Sequence, residues 1–142
     1  MDWLDHLPHQ PPMRLLDAIV DVQPGLGVTA SRRTAPSDFY FQGHFPGQPV
    51  VPAVMLVEMI AQAGGIAAGS GTDVDGASAW AGRVAAIGPF KFPAAAGAGA
   101  RLDIHARVVA RMGRLVKIEG EVRADGVVVA RGSLTLADTS GA

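Results

Sequence analysis

Residues 39–65 read FYFQGHFPGQPVVPAVMLVEMIAQAGG, and the rest of the chain can be organised around them. An aromatic, Gly- and Pro-rich loop carrying His44 leads directly into an apolar stretch carrying Glu58. From Val51 or Pro52 onward, Val54, Met55, Leu56, Val57, Met59, Ile60, Ala61 and Ala63 leave no fully polar face on a period of 3.6 residues, as expected of a buried helix. Pro52 suits the first helical turn, and Gly64–Gly65 offer an end or a close backbone approach. Glu58 then stands as a carboxylate in an apolar setting.

Outward from this stretch, the pattern changes to short strands. Before the loop, Ile19–Val22 and Val28–Arg33 read as strands separated by the turn QPGLG, preceded by a short turn over Trp3–Leu7 and a proline-broken segment. Ala35–Pro49 is loop, and Gly69–Ser78 a polar loop. After it, Trp80–Ile87 reads as a strand and Ala94–Ala100 as a tight connection. The clearest alternation follows: Leu102, Ile104, Ala106 and Val108 oppose Asp103, His105 and Arg107, then Val116, Ile118 and Val122 alternate with charges. Asp125–Gly126 is a hairpin signal before Val127–Leu136, completing a three-strand antiparallel meander with one wet face. The expected class is α+β, a sheet curved around one long buried helix.

Composition narrows the functional classes. The 142 residues suit one domain, 1–142, and a formal net charge of −1 without an arginine-rich run gives no pull toward nucleic acid. There are no cysteines, which excludes disulfides, thiolate metal sites and cysteine nucleophiles. Together with an acidic, proline-broken N-terminus unlike a secretory signal, this fits a cytoplasmic protein. Val50–Gly69 has the length to span a bilayer, but Glu58 and Gln62 near its middle, Pro52 near its start and no flanking basic anchors make it a core helix instead. His6, His9, His44 and His105 have no metal-ligand spacing, and no phosphate loop or dinucleotide fingerprint occurs, so neither a metal nor a cofactor is expected.

His44 and Glu58, 14 residues apart, suit acid–base chemistry: an imidazole moves protons near neutral pH, and a carboxyl in an apolar setting is tuned toward donation. The bland alternative makes His44 a structural hydrogen bonder. The first-turn amides of Ala53 and Val54 suit negative charge developing on an enolate oxygen, and Gln62, one turn after Glu58, suits a hydrogen-bond partner. Phe41, Phe45, Met55, Met59, Phe90 and Phe92 either line an apolar tunnel or belong to the core.

The run GHFPGQPVVPAVMLVEMIAQAGG resembles the signature of 3-hydroxyacyl-acyl carrier protein dehydratases of the hotdog fold, and LPHQPPMRLLD, residues 7–17, resembles that family's opening segment. The resemblance implies an antiparallel sheet wrapped around one helix and homodimers with joined sheets, with an assembly of dimers as a further option. It implies active sites at the dimer interface, where the histidine comes from one subunit and the acid from the other. His44 would take the α-proton of a 3-hydroxyacyl thioester and Glu58 would help the β-hydroxyl leave, giving a trans-2-enoyl thioester in fatty acid or related acyl-chain biosynthesis. Ala53, Val54, Gly47, Gln62 and Phe45 would lie against the substrate, carried by acyl carrier protein or coenzyme A. Ala53 replaces the family's usual Gly, and PFKFPAAAGAGARL keeps only Lys91 and Arg101 of a segment that is otherwise more basic. A hotdog acyl-thioesterase and a non-catalytic, carrier-binding subunit are the rival readings.

Overall fold

The computed structural model describes residues 2–43, 47–71 and 82–139. His44 and Phe45, and the Trp80 at which a strand was expected to begin, lie outside the described residues. A 3-10 turn over Trp3–His6 precedes β1 (Ala18–Gln23) and β2 (Gly27–Arg33). A second 3-10 turn, Phe39–Phe41, leads toward α1 (Ala53–Ser70), which is followed by β3 (Gly82–Lys91), β4 (Arg101–Met112), β5 (Leu115–Ala124) and β6 (Val127–Asp138).

The six strands form one antiparallel sheet in the order β1-β2-β4-β5-β6-β3. The expected meander is its centre: β4 pairs with β5 from Leu102↔Ala124 to Met112↔Leu115, and β5 with β6 from Leu115↔Ala137 to Ala124↔Val127. Asp125 and Gly126 both adopt positive φ (48° and 88°), the geometry that closes a two-residue hairpin without splaying the strands. Alternation then places Leu102, Ile104, Ile118, Val122 and Leu134 on the helix side, where all are buried.

α1 packs across β4, β2, β5 and β6. Two glycines make the approach close. A β-carbon on Gly64 would sit 2.9 Å from Ile118 Cγ2, and one on Gly120 would overlap Ile60 Cγ2. Of the two options the sequence offered, Gly64 thus makes the close backbone approach, and the helix continues past Gly64–Gly65 because Ile66, Ala67 and Ala68 bury against the sheet. Its C-terminal carbonyls are satisfied by side chains. Arg111 Nη2 donates to Ala68 O (3.0 Å), while Ser70 Oγ donates to Ala67 O (2.9 Å) and accepts from Gly25 N (3.0 Å).

The alanine- and glycine-rich connection after β3 anchors the start of the helix. Val50 bridges Gly97, Val51 N donates to Ala96 O (2.8 Å), and Thr34 Oγ1 donates to Gly97 O (2.7 Å). The histidine loop is thus tied down where it enters α1.

Candidate active site

Glu58 lies one and a half turns into α1, with its side chain 26% exposed. The sequence suggested an apolar setting; instead the carboxylate has two polar neighbours. Gln62, 1% exposed and one turn later, fixes the first contact. Its Nε2 donates to Glu58 Oε2 (3.1 Å) and to Met13 O (2.8 Å), while its Oε1 accepts from Leu15 N (2.9 Å). The Leu15 amide can only donate, so the orientation of the carboxamide is determined and its –NH₂ faces the acid. Gln62 thereby ties the N-terminal segment to the acid-bearing turn of the helix.

The second neighbour is His9, whose Nε2 stands 3.5 Å from Glu58 Oε2. Its Nδ1 is buried with no hydrogen-bond partner among the described residues. The surrounding chain places the ring: Leu7, Leu15 and Leu16 are buried, and Arg14 Nε donates back to His9 O (3.1 Å). Sequence reading weighed His9 only as a metal ligand, and the available signal was its place in the LPH segment. Among the described residues, no group of three or more His, Asp or Glu side chains converges as a metal site would require.

These residues open onto a cavity of about 270 Å³ that runs along α1. Small side chains one turn apart, Ala61, Gly65 and Gly69, give it depth, and Gly82 and Val84 of β3 form the opposite wall. None of Phe41, Met55, Met59, Phe90 and Phe92 lines it. Phe41 and Met59 are core, while Phe90 and Phe92 stack on each other (centroids 6.0 Å apart) where β3 ends. A shallower depression of about 740 Å³ lies on the sheet face turned away from α1. Its polar groups pair across strands, including Thr29–His105 (3.1 Å), Arg107–Glu119 (2.6 Å) and Arg131–Glu121 (3.2 Å).

The helix start is open. Ala53 and Val54 are exposed, Pro52 offers no side-chain cap, and the first backbone bonds within the turn begin at Met55 N and Leu56 N, both to Pro52 O. The Ala53 methyl therefore points away from the core. Gly43 and Gly47, with φ of 72° and 90°, bracket the histidine tripeptide in the left-handed conformation that favours glycine.

The family model of the FabA-like domain matches residues 7–133. The 3-hydroxyacyl-[acyl-carrier-protein] dehydratase FabZ of Campylobacter hominis is 36% identical over 131 residues, covering 92% of this chain and 90% of that protein. FabZ of Anaeromyxobacter sp. is 37% identical over 128 residues, covering 87% and 79%. Among solved structures, the dehydratase heterocomplex ApeI:P from Xenorhabdus doucetiae superposes with a TM-score of 0.79 at 23% identity, covering 99% of this chain and 93% of that one. The PaaI protein of E. coli, from the phenylacetic acid degradation operon, gives 0.66 at 16% identity, covering 87% and 79%. At those identities the structures establish the fold, and the family model and sequence relatives establish the lineage. The chain belongs to the 3-hydroxyacyl-[acyl-carrier-protein] dehydratase family, as a FabA-like domain of hotdog fold.

Proposed function

We propose that this protein dehydrates 3-hydroxyacyl thioesters to trans-2-enoyl thioesters in fatty acid or related acyl-chain biosynthesis, as a soluble cytoplasmic homodimer of single-domain subunits. The observation that carries the reading is Glu58, held by Gln62 at the mouth of a cavity along α1, in a chain 36% identical to a FabZ dehydratase. The acyl chain lies in the groove floored by Ala61, Gly65 and Gly69. The thioester carbonyl faces the open first turn of α1, where the amides of Ala53 and Val54 stabilise the enolate oxygen.

His44 of the partner subunit removes the α-proton, and the electrons of that C–H bond form the new double bond. The β-carbon–oxygen bond breaks as Glu58 gives its proton to the departing hydroxyl, which leaves as water. Gln62 positions Glu58, and Gly47 and Phe45 flank the thioester. Sharing of the site between subunits is supported by β3, an edge strand with Val84 (38% exposed) and Ile87 (62% exposed) presented to solvent. An unpaired, apolar edge of this kind invites a second sheet. The carrier is acyl carrier protein, the carrier named for the FabZ relatives, or coenzyme A.

The test is mass-spectrometric detection of water loss across a panel of 3-hydroxyacyl carrier-protein and coenzyme A thioesters, with free-thiol release followed in parallel. The wild type converts at least one substrate, and His44→Ala and Glu58→Gln stay folded with rates at least about 100-fold lower. Thiol release without water loss would establish the thioesterase reading instead.

A further inference from the structure

Two segments lead to site residues: residues 7–17, whose His9 stands 3.5 Å from Glu58, and the loop from Ala35, which leads in sequence to His44. Both are fastened to one guanidinium. Arg32, in β2, donates from Nη1 to Asp17 Oδ1 (3.3 Å), closes an ion pair from Nη2 to Asp38 Oδ2 (3.1 Å) and donates from Nε to the Tyr40 hydroxyl (3.3 Å). Tyr40 completes the ring by donating to Asp38 Oδ2 (2.7 Å), and the Arg32 guanidinium lies 5.8 Å from the centre of the tyrosine ring. The carboxylates also grip the backbone, since Asp17 Oδ2 accepts from Arg33 N (2.8 Å) and Asp38 Oδ2 accepts from Ala35 N (3.0 Å). The Arg32 and Asp38 side chains are 13% and 15% exposed, so their ion pair is shielded from much of the screening that weakens surface pairs, whereas Asp17, 49% exposed, faces solvent.

We propose that Arg32 is a positioning residue of the active site, a clamp that seats the Asp38–Tyr40 end of the histidine loop on β2 beside Asp17. Two observations separate this role from general support of the fold. The backbone of β2 is already fixed by its ladder to β4, including Arg32↔Leu102, and does not need the guanidinium. The loop's other end is fixed independently by Val50–Gly97 and Val51–Ala96, leaving the Asp38–Tyr40 end as the one Arg32 controls. Between these anchors, Gly43 and Gly47 have nothing within 4 Å of a β-carbon built on them, so local packing at those positions does not correct an error at the clamp. The inference rests on the dehydratase reading, in which His44 of one subunit must meet the substrate held at Glu58 of the other in fixed geometry.

The experiment compares wild type, Arg32→Met and Arg32→Lys on a 3-hydroxyacyl thioester the wild type converts. A displacement of about 1 Å at the base lowers kcat about 10- to 100-fold while KM, set by the acyl groove along α1, changes less than about threefold. Arg32→Lys, which keeps the charge and one contact, recovers part of kcat. Tyr40, the chain's only tyrosine, reports the clamp directly in alkaline absorbance titration. Arg32 opposes the upward push that burial and Asp38 exert on the phenol, so its removal moves the titration to still higher pH. Should Arg32→Met not fold, Asp38→Asn removes the charge that pairs with Arg32, and the same fall in kcat at constant KM is expected. Wild-type kcat in the folded Arg32→Met or Asp38→Asn protein, or a loss confined to KM, overturns the clamp and leaves the dehydratase reading standing. A wild type that eliminates no water from any substrate overturns both.

Discussion

Replacing Gln62 by Leu removes three hydrogen bonds while nearly preserving side-chain volume, so the cost reports polar satisfaction with little cavity contribution. The Leu15 amide, 2.9 Å from Gln62 Oε1 in a fully buried position, loses its partner, which costs about 1–3 kcal/mol. The Met13 carbonyl, 2.8 Å from Nε2, is only partly buried and contributes at the lower end of that range. The sum, about 2–4 kcal/mol, corresponds to a fall in Tm of about 6–14 °C for a chain of this size. The measurement is thermal unfolding at fixed protomer concentration, since association stabilises the folded state by mass action. The same variant releases Glu58 and loosens the His9 segment, so activity falls at temperatures where the protein is still folded. A Tm within about 2 °C of wild type would refute the reasoning, because the N-terminal segment would then not depend on Gln62 for its seat.

The Asp38–Tyr40 pair gives stability opposite pH limbs. Burial opposes ionisation of Asp38, but hydrogen bonds from Tyr40 and the Ala35 amide, with the Arg32 charge, hold its carboxyl below the ordinary value of 3.8. That stabilisation is present above about pH 4 and is lost as pH falls through the depressed value, so urea midpoints of wild type and Asp38→Asn converge toward acid pH. Tyr40, pushed up to about 12 by burial and the bond to Asp38, favours folding fully below pH 10 and loses that contribution as pH rises from 10 toward 12; Tyr40→Phe lacks the alkaline limb. Gly120→Ala forces a methyl into Ile60 and costs about 1–3 kcal/mol, and adding Ile60→Ala, which removes the Cγ1 and Cγ2 that the methyl meets, recovers part of it in a double-mutant cycle.

Periodicity exposed the elements whose environment is regular along the chain. The meander alternates because one sheet face meets α1, and the helix is apolar all round because strands curve about it. Asp125–Gly126 announced its turn because few residues tolerate positive φ. Glu58 stood out for the same reason, as a charge in an apolar pattern. Periodicity carried no information about groups that meet across long separations. His9 reaches Glu58 from a proline-broken segment without a repeat, and its contact depends on Gln62 capturing two backbone groups of residues 13–15. Gly64 read as either a helix end or a close approach, and the choice between them is made by Ile118, 54 residues on, which leaves no room for a side chain there. Arg32 read as the polar end of a strand, and its three partners lie in two segments, Asp17 before β1 and Asp38 with Tyr40 after β2.

The central claim, a dehydration site built from His44 of one subunit and Glu58 of the other, is tested most directly by mixing two inactive variants. His44→Ala and Glu58→Gln proteins are dissociated, combined in equal amounts and reassociated, and water loss from a 3-hydroxyacyl thioester is followed by mass spectrometry. A mixed dimer holds one intact site and one doubly altered site, and half of the dimers are mixed at random association. The account therefore predicts recovery of about a quarter of the wild-type rate. If the mixture stays as inactive as its components although mixed dimers have formed, the two residues do not meet across the interface and the shared site is contradicted.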